Sequence, residues 1–426
     1  MILENLGSLP DNFDGKLLLS LLESENNKIR LLTLKNLGKL KNIEYLSIFN
    51  QIAENDLDSL IRREAVSAIG RLRNKGTIPY LLKFLNDHDP KIILQAIRAL
   101  LVFKNASFVK TELMKLINHP NEIIKEVIRK HFYDSENKSV DEHSKSPDFL
   151  KNKVILGDVR EIIKIIPDQS IHLTFTSPPY YNARDYSIYK SYNEYLDFLT
   201  EVFKEIHRIT KEGRFLIVNT SPIIIPRISR NDASKRYPIP FDLNSRLVGN
   251  GWEFIDDITW IKPESSVKNR NGSFSKHRKP LGYKPNVVTE YIMVYRKQTD
   301  KLLDWNMSQY DAEIVEKSKI LGDYESKNVW AINPTFDRVH SAVFPIELCQ
   351  RVIKFYSYMG DLVFDPFGGS GTMGKAALSL DRYFLLTEKE HKYVERMKED
   401  LGVKTLFTTI ENEFLTITEF AEKIRD

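Results

Sequence analysis

Between residues 15 and 133, apolar positions recur at three- and four-residue spacing, which predicts helix after helix. A weak repeat runs through them. Ile29, Ile61, Ile92 and Ile123 begin similar segments, KIRLLTLKNLG, LIRREAVSAIG, KIILQAIRALL and EIIKEVIRKHF, at spacings of 32, 31 and 31 residues. Eight residues after the first three isoleucines stand Leu37, Ile69 and Leu100, again apolar. Breakers precede each segment: Glu25-Asn26-Asn27, Asp56-Leu57-Asp58, Asp87-His88-Asp89-Pro90 and His119-Pro120-Asn121. A fixed period of paired helices predicts a solenoid, in which each pair buries its apolar face against its neighbours. An irregular helical bundle is the plainer alternative.

The pattern resembles short HEAT-like repeats. Residues 134–148, DSENKSVDEHSKSPD, are polar without period and read as a linker. From Phe149 onward, short β-rich runs alternate with amphipathic helices, from KVILG and VREIIKII to TMGKAALSL and RYFLLTEK. That alternation predicts a mostly parallel sheet with helices on both faces. The expected organisation is therefore multidomain: an all-α HEAT-like solenoid over 1–133, a linker over 134–148, and an α/β Rossmann-like domain over 149–426.

Composition narrows the picture. The chain has 426 residues and a net charge of +4, so it is neither a polycation nor an acidic disordered tail. With 42% apolar residues it can bury a large core. Its single cysteine, Cys349, excludes a disulfide framework and a Cys-rich zinc site, and no metal site is expected. The first residues lack the basic start and apolar run of a signal peptide, and no apolar stretch is long enough to span a bilayer. A cytoplasmic protein is expected, with no membrane partner.

Two motifs follow strands, where ligands of such sheets bind. Asp365-Pro366-Phe367-Gly368-Gly369-Ser370-Gly371-Thr372 follows Leu362-Val363-Phe364 and opens a helix. Its glycines permit a sharp turn and close approach of a ligand. Glu388 ends the next strand, where a carboxylate can accept two hydrogen bonds from a ribose diol. No Lys-Ser or Lys-Thr follows the glycines, so this is not a triphosphate loop. The second motif, Thr176-Ser177-Pro178-Pro179-Tyr180, ends the strand that begins at His172. Two prolines cannot continue a ladder and hold Ser177 and the Pro178 carbonyl in a fixed pose beside an aromatic ring. Such an acceptor pair suits an exocyclic amine, with the ring stacked on its base. A strand-ending turn is the bland reading of the same residues.

Together the motifs resemble the amino-methyltransferases of DNA, which use S-adenosylmethionine. The catalytic motif precedes the cofactor motif, the order of that family's permuted beta group. The resemblance covers about residues 149–395. It implies catalytic roles for Ser177, Pro178, Pro179 and Tyr180. It implies cofactor contacts from Asp158, His340, Phe344, Pro345, Asp365, Phe367, Gly368, Gly369, Ser370, Gly371, Thr372 and Glu388, with Asp158 near the adenine. Ser-Pro-Pro-Tyr is typical within the family of methylation at N4 of cytosine. Adenine N6 is the alternative target, and a catalytically silent nucleic-acid-binding scaffold is the alternative of another class. Carbon-5 chemistry needs a thiolate nucleophile, and Cys349 reads instead as a small buried residue.

Charge is unevenly spread. Residues 262–284 hold seven basic residues against Glu264 alone. This Ser-, Asn- and Gly-rich segment is expected to be a loop beside the active site that contacts DNA phosphates through Lys268, Arg270, Lys276, Arg278 and Lys279. Arg227 and Arg230 are expected in a second basic loop nearby, which runs on to Lys235 and Arg236. The expected partner is double-stranded DNA. The resemblance adds a cognate restriction endonuclease as a partner, because no nuclease motif is evident in this chain.

Overall fold

The breakers before each repeat become helix caps. Asn26, Asp58 and Asp89 precede helices α1 (Asn27–Lys39), α3 (Ser59–Arg71) and α4 (Pro90–Leu100). Each accepts a backbone N–H two residues on, at 2.9, 2.8 and 2.8 Å, which satisfies a donor that the first helical turn leaves unpaired. Asn121 does the same at 3.1 Å for α5 (Glu122–Phe132). Between α1 and α3 lies α2 (Leu46–Asn55). Arginines tie one repeat to the next: Arg30 reaches Asp56 at 3.1 Å, and Arg62 pairs with Asp87. The helices also approach closely. A methyl group on Gly70 would sit 2.7 Å from the Ala99 side chain. Leu37, Ile69 and Leu100, the expected apolar set, are wholly buried in one core.

The structure is a computed structural model. It describes the whole chain except residues 1, 2, 5, 8–12, 133–144, 182–188, 226–228, 230, 233, 336–342, 403–410 and 426. Two units separate, 1–139 and 140–426, and each is described by itself.

The second unit is built on one mixed sheet. Its strands are β1 (Lys153–Leu156), β2 (Ile171–Thr176), β3 (Thr210–Thr220), β6 (Trp252–Ile261), β7 (Thr289–Lys297), β8 (Val329–Ala331), β9 (Leu362–Asp365), β10 (Tyr383–Glu388) and β11 (Glu413–Thr416). Their spatial order is β11-β1-β10-β9-β2-β3-β7-β6-β8. Strands from β11 to β3 run parallel, β7 is antiparallel to both neighbours, and β8 is parallel to β6. A small hairpin, β4 (Ile223–Ile225) with β5 (Lys235–Tyr237), stands apart. Two apolar cores cover the faces. One is gathered under α6 (Val159–Ile165), α7 (Tyr192–Ile209) and α8 (Ile239–Gly249). The other lies under α9 (Ile346–Tyr356), α10 (Thr372–Leu378) and α11 (His391–Leu401). Cys349 is fully buried in the latter, as expected, and its thiol is pushed well up by burial.

The order places β9 beside β2. From β9 the chain proceeds to β10 on one side; from β2 it proceeds to β3 on the other. The crevice between their carboxyl ends is the switch point of the sheet, where ligands of open α/β sheets bind.

The opposite ends of these strands are fastened by buried charge. Asp361, just before β9, pairs with Arg214 of β3, accepts the Tyr310 hydroxyl at 2.7 Å and the Tyr358 N–H at 2.9 Å, and faces His172 of β2 at 3.3 Å. Arg214 also donates to Tyr310 at 2.6 Å. Burial raises the Asp361 pKa, but Arg214 and the other partners outweigh it and hold the carboxyl below its usual range. Arg214→Met leaves that carboxylate buried without its main cation. The substitution is expected to cost about 3–5 kcal/mol, read as a lowered denaturation midpoint; a loss below about 1 kcal/mol contradicts this role.

Candidate active site

At the switch point a cavity of about 570 Å³ opens. Its walls come from the ends of β1 (Gly157 to Arg160), β2 (Ser177 to Tyr180), β9 (Asp365 to Ser370) and β10 (Glu388 to Glu390). The α7 side chains Glu194, Asp197, Phe198 and Glu201 complete it, together with Val343 and Phe344. The two motifs, nearly 190 residues apart in sequence, thus face one space.

A buried side-chain hydrogen bond joins them. Thr176 Oγ1, the last residue of β2, donates to Asp365 Oδ1, the last residue of β9, at 2.6 Å. The same oxygen accepts the Phe367 N–H at 3.0 Å, which bends the chain out of the strand. Burial pushes the Asp365 carboxyl up to about 7. After it, the glycine turn closes on itself. Gly371 N–H donates to the Gly368 carbonyl at 2.8 Å, and Gly368 N–H donates to the Thr387 carbonyl at 2.9 Å. Gly371 sits at φ +77, a conformation that favours glycine.

Glu388 braces this turn. One oxygen accepts the Gly369 N–H at 2.8 Å and the other the Glu390 N–H at 2.9 Å. Burial raises its pKa, while these bonds favour the charged form. The Lys389 N–H also favours the charged form, and the carboxylate keeps acceptor capacity for a further donor. Asp158 caps α6, accepting the Arg160 N–H at 2.9 Å, and its carboxylate also pairs with the Arg160 side chain at 2.8 Å. The pair with Arg160 holds this acid below its usual range. Phe344 stacks on Phe175 of β2, with ring centroids 4.7 Å apart.

Behind the Ser-Pro-Pro-Tyr turn lies a polar network that no motif in the sequence announces. Tyr180 Oη donates to Glu290 Oε2 at 3.2 Å. Asn219 Nδ2 donates to the same oxygen at 2.5 Å and lies 3.5 Å from Ser177 Oγ. Lys262 pairs with the other oxygen of Glu290. Burial, then the Glu290 charge, pushes the Tyr180 hydroxyl far up, so it stays a donor. Asn219, Lys262 and Glu290 belong to β3, to the residue after β6, and to β7. Only the antiparallel pairing of those strands gathers them.

Of the expected cofactor residues, Asp158, Phe344, Asp365, Phe367, Gly368, Gly369, Ser370, Thr372 and Glu388 line the cavity. Gly371 and Pro345 do not. The Gly371 Cα faces the Met397 and Leu401 side chains, where a Cβ would meet Met397 Cγ at 3.0 Å, so this glycine serves close packing of the turn on α11. Pro345 is the buried N-cap of α9. His340 lies outside the described residues, as do Arg227 and Arg230.

The basic segment differs from the loop expected. It contains a short helix, Gly272–His277, and Arg278 follows it in a left-handed conformation at φ +48. Lys268, Lys276, Arg278 and Lys279 are exposed, Arg270 is half-buried, and none of the five lines the cavity. The segment is nonetheless rooted at the site through Lys262 and Glu290. Burial, then the charge of Arg236 on β5, lowers the Arg270 pKa, which brings the two basic segments into electrostatic reach. Among the described residues no group of acids, histidines and cysteine could hold a metal ion, and no helix is long and apolar enough to cross a membrane.

The raised Asp365 pKa is a statement about stability. Its folded pKa exceeds the unfolded one, so its contribution is fully present below pH about 4 and is lost as pH rises through about 7. Asp365→Asn keeps an acceptor for Thr176 and Phe367 and removes the charge. The stability of the ligand-free variant relative to the parent is expected to grow by up to about 4 kcal/mol between pH 4 and 8. Thermal unfolding across that range checks it, and a difference that does not change with pH contradicts it.

Comparison with known proteins agrees with this geometry. The N6_N4_Mtase DNA methylase family model matches residues 171–399, and a HEAT-repeat model matches 15–101 and 46–130. Type II methyltransferase M.BglI of Bacillus subtilis is 28% identical over 331 residues, which are 65% of this chain and 92% of that protein. Type II beta methyltransferase M.BslI of Bacillus sp. (strain NEB-606) is 28% identical over 61% of this chain. The match spans only 28% of M.BslI, and 36% of Type II methyltransferase M.MwoI of Methanothermobacter wolfeii. Among solved structures, TTHA0409 of Thermus thermophilus, complexed with S-adenosyl-L-methionine, superposes with a TM-score of 0.50 and 26% identity. That match covers 62% of this chain and 98% of the other. With more than half its length matched, its glycine turn and its Ser-Pro-Pro-Tyr turn meeting at one switch point, and its catalytic motif ahead of its cofactor motif, this chain belongs to the N6/N4 DNA methylase family, in the beta arrangement, and carries HEAT repeats at its N-terminal side.

Proposed function

We propose that the chain transfers a methyl group from S-adenosylmethionine to the exocyclic N4 amine of a cytosine flipped out of double-stranded DNA. On this reading it is the modification half of a restriction–modification pair and works in the cytoplasm on nucleoid DNA. The domain of residues 149–426 carries the chemistry. One observation carries the proposal: a Ser-Pro-Pro-Tyr turn and a glycine turn, on adjacent parallel strands, open on the same cavity.

The cavity fits the cofactor. Its acids, Asp158, Asp365 and Glu388, suit a cationic sulfonium and an ammonium group, and the Glu388 carboxylate suits a ribose hydroxyl. Phe344 and Phe367 supply apolar walls, and the backbone of Gly368 to Ser370 permits close approach. When bound, S-adenosylmethionine supplies an electrophilic methyl group.

Residues of this chain do the rest. Ser177 Oγ and the Pro178 carbonyl accept the two protons of the target amine, and the Tyr180 ring stacks on the base. Pro179 stiffens the turn. Asn219 and Glu290 hold Ser177 and Tyr180 in place. An amide-like nitrogen is a weak nucleophile. Holding its protons aims its lone pair, and fixed orientation supplies much of the acceleration. As the new N–C bond forms, the donor's S–C bond would break to leave a neutral thioether, and the nitrogen would shed one proton to solvent, with no covalent enzyme intermediate. Cys349 is too deeply buried to serve as a nucleophile.

Ser177 favours cytosine over adenine, because that family associates a serine at this position with N4 and a carboxylate or carboxamide with N6. The exposed lysines and arginine of 268–279 serve as phosphate contacts.

Ser177→Ala is expected to lower methyl transfer from labelled S-adenosylmethionine to duplex DNA about 100-fold or more, with cofactor affinity unchanged by calorimetry. Near-parental turnover would remove Ser177 from the mechanism. Glu290→Gln keeps an acceptor but drops the ion pair with Lys262. It is expected to lower kcat about tenfold with KM for cofactor unchanged; a change confined to KM for cofactor contradicts the positioning role.

A further inference from the structure

The repeat unit presents two edges of opposite character. At the starts of its helices stand Asp56, Asp58, Asp87 and Asp89, spent on capping and on pairing with Arg30 and Arg62. At the helix ends the charge is basic. Lys41 and Arg73 occupy equivalent corners one repeat apart, in the same left-handed conformation, with φ of +52 and +51. Each is followed by an asparagine, Asn42 and Asn74, whose side chain accepts the N–H two residues on at 3.0 and 2.8 Å. Lys104-Asn105 repeats the pair one period later.

Lys41, Arg71, Arg73 and Arg98 line one shallow groove of about 250 Å³ across consecutive repeats. Glu64 pairs with Arg71 at 2.8 Å. Lys41, Arg73 and Arg98 are exposed, and among the described residues they make no ion pair. Ser67, Gly70, Gln95 and Ala99 floor it, Val102 is its one large apolar side chain, and it has no aromatic anchor.

We propose that this groove is a second DNA-contact site, which holds the phosphate backbone of the duplex on which the catalytic unit acts. The proposal rests on the DNA-modifying reading above. Cations repeated at each period suit a polymer of regularly spaced anions, and serine and glutamine are ordinary phosphate contacts. An acidic protein surface fits less well, because stable protein interfaces are anchored by clustered aromatic and arginine hot spots, and this groove offers no aromatic side chain and a single valine, Val102. A structural role alone, in which the cations only complement the negative helix ends, predicts lowered stability but no effect on DNA.

The test uses the full chain with Lys41→Gln, Arg73→Gln and Arg98→Gln combined. Binding of a short labelled duplex is followed by anisotropy across about 50–200 mM salt, beside steady-state methyl transfer. Loss of three phosphate contacts is expected to reduce the slope of log affinity against log salt by about 2–3. KM for DNA is expected to rise about tenfold, with kcat and cofactor affinity unchanged. The charge-retaining set Lys41→Arg, Arg73→Lys and Arg98→Lys is expected to restore the slope. Arg98→Gln alone, at an exposed helix position, is expected to lower it by about 1 should the triple variant melt early. An unchanged slope and KM overturn the proposal. So does an unchanged slope accompanied by lost binding of an acidic polypeptide, which assigns the groove to a protein partner. A parent chain that binds duplex but methylates no DNA would fail the catalytic reading instead, and the salt slope still decides the groove.

Discussion

The hydrogen bond from Thr176 to Asp365 is the interaction on which the second unit turns. It joins the last residues of two parallel strands that the chain visits far apart. Beyond that bond each strand must leave the sheet. Prolines force the exit on one side, and glycines with the Phe367 N–H shape it on the other. The carboxylate is buried to make this junction, which is why its pKa climbs. A cavity between two such exits has acceptors on one wall and a cationic-ligand cradle on the other. Bringing an amine and a methyl donor together needs that juxtaposition more than it needs any reactive side chain.

A junction of this kind is only as fixed as the strands behind it. The network around Asp361 fastens β2, β3 and β9 at their far ends. Leu362 N–H donates to His172 Nδ1 at 3.0 Å, which leaves the other ring nitrogen to donate to Asp361. Buried charge is seldom a source of net stability, and its value here is in registering three strands. At the working end, Glu290 plays the parallel part. It links strands β3 and β7 and the residue after β6 to the tyrosine that faces the cavity.

Much of this architecture is legible in the chain. The HEAT-like period shows because capping residues and apolar helix positions such as Leu37, Ile69 and Leu100 must recur wherever similar turns recur. The two motifs show because Pro-Pro and Gly-Gly-Ser-Gly constrain the backbone whatever surrounds them. The network of Asn219, Lys262 and Glu290 does not. Each is an ordinary polar residue on its own strand, and only the antiparallel pairing of β7 with β3 and β6 makes them neighbours. The short strands β4, β5, β8 and β11 carry too few residues to display a period. Gly371 reads like its neighbours in the motif, yet packing against Met397 claims it. Local charge misleads in one respect. The segment 262–284 is basic and polar, but the stretch GSFSKH within it is helical.

The identity of the modified base decides what this cavity does. Duplex DNA incubated with the chain and S-adenosylmethionine can be digested to nucleosides and weighed by mass spectrometry. N4-methyldeoxycytidine is the expected product, at a level that falls steeply in Ser177→Ala. N6-methyldeoxyadenosine as the product, or DNA returned without any methylated nucleoside, would contradict it.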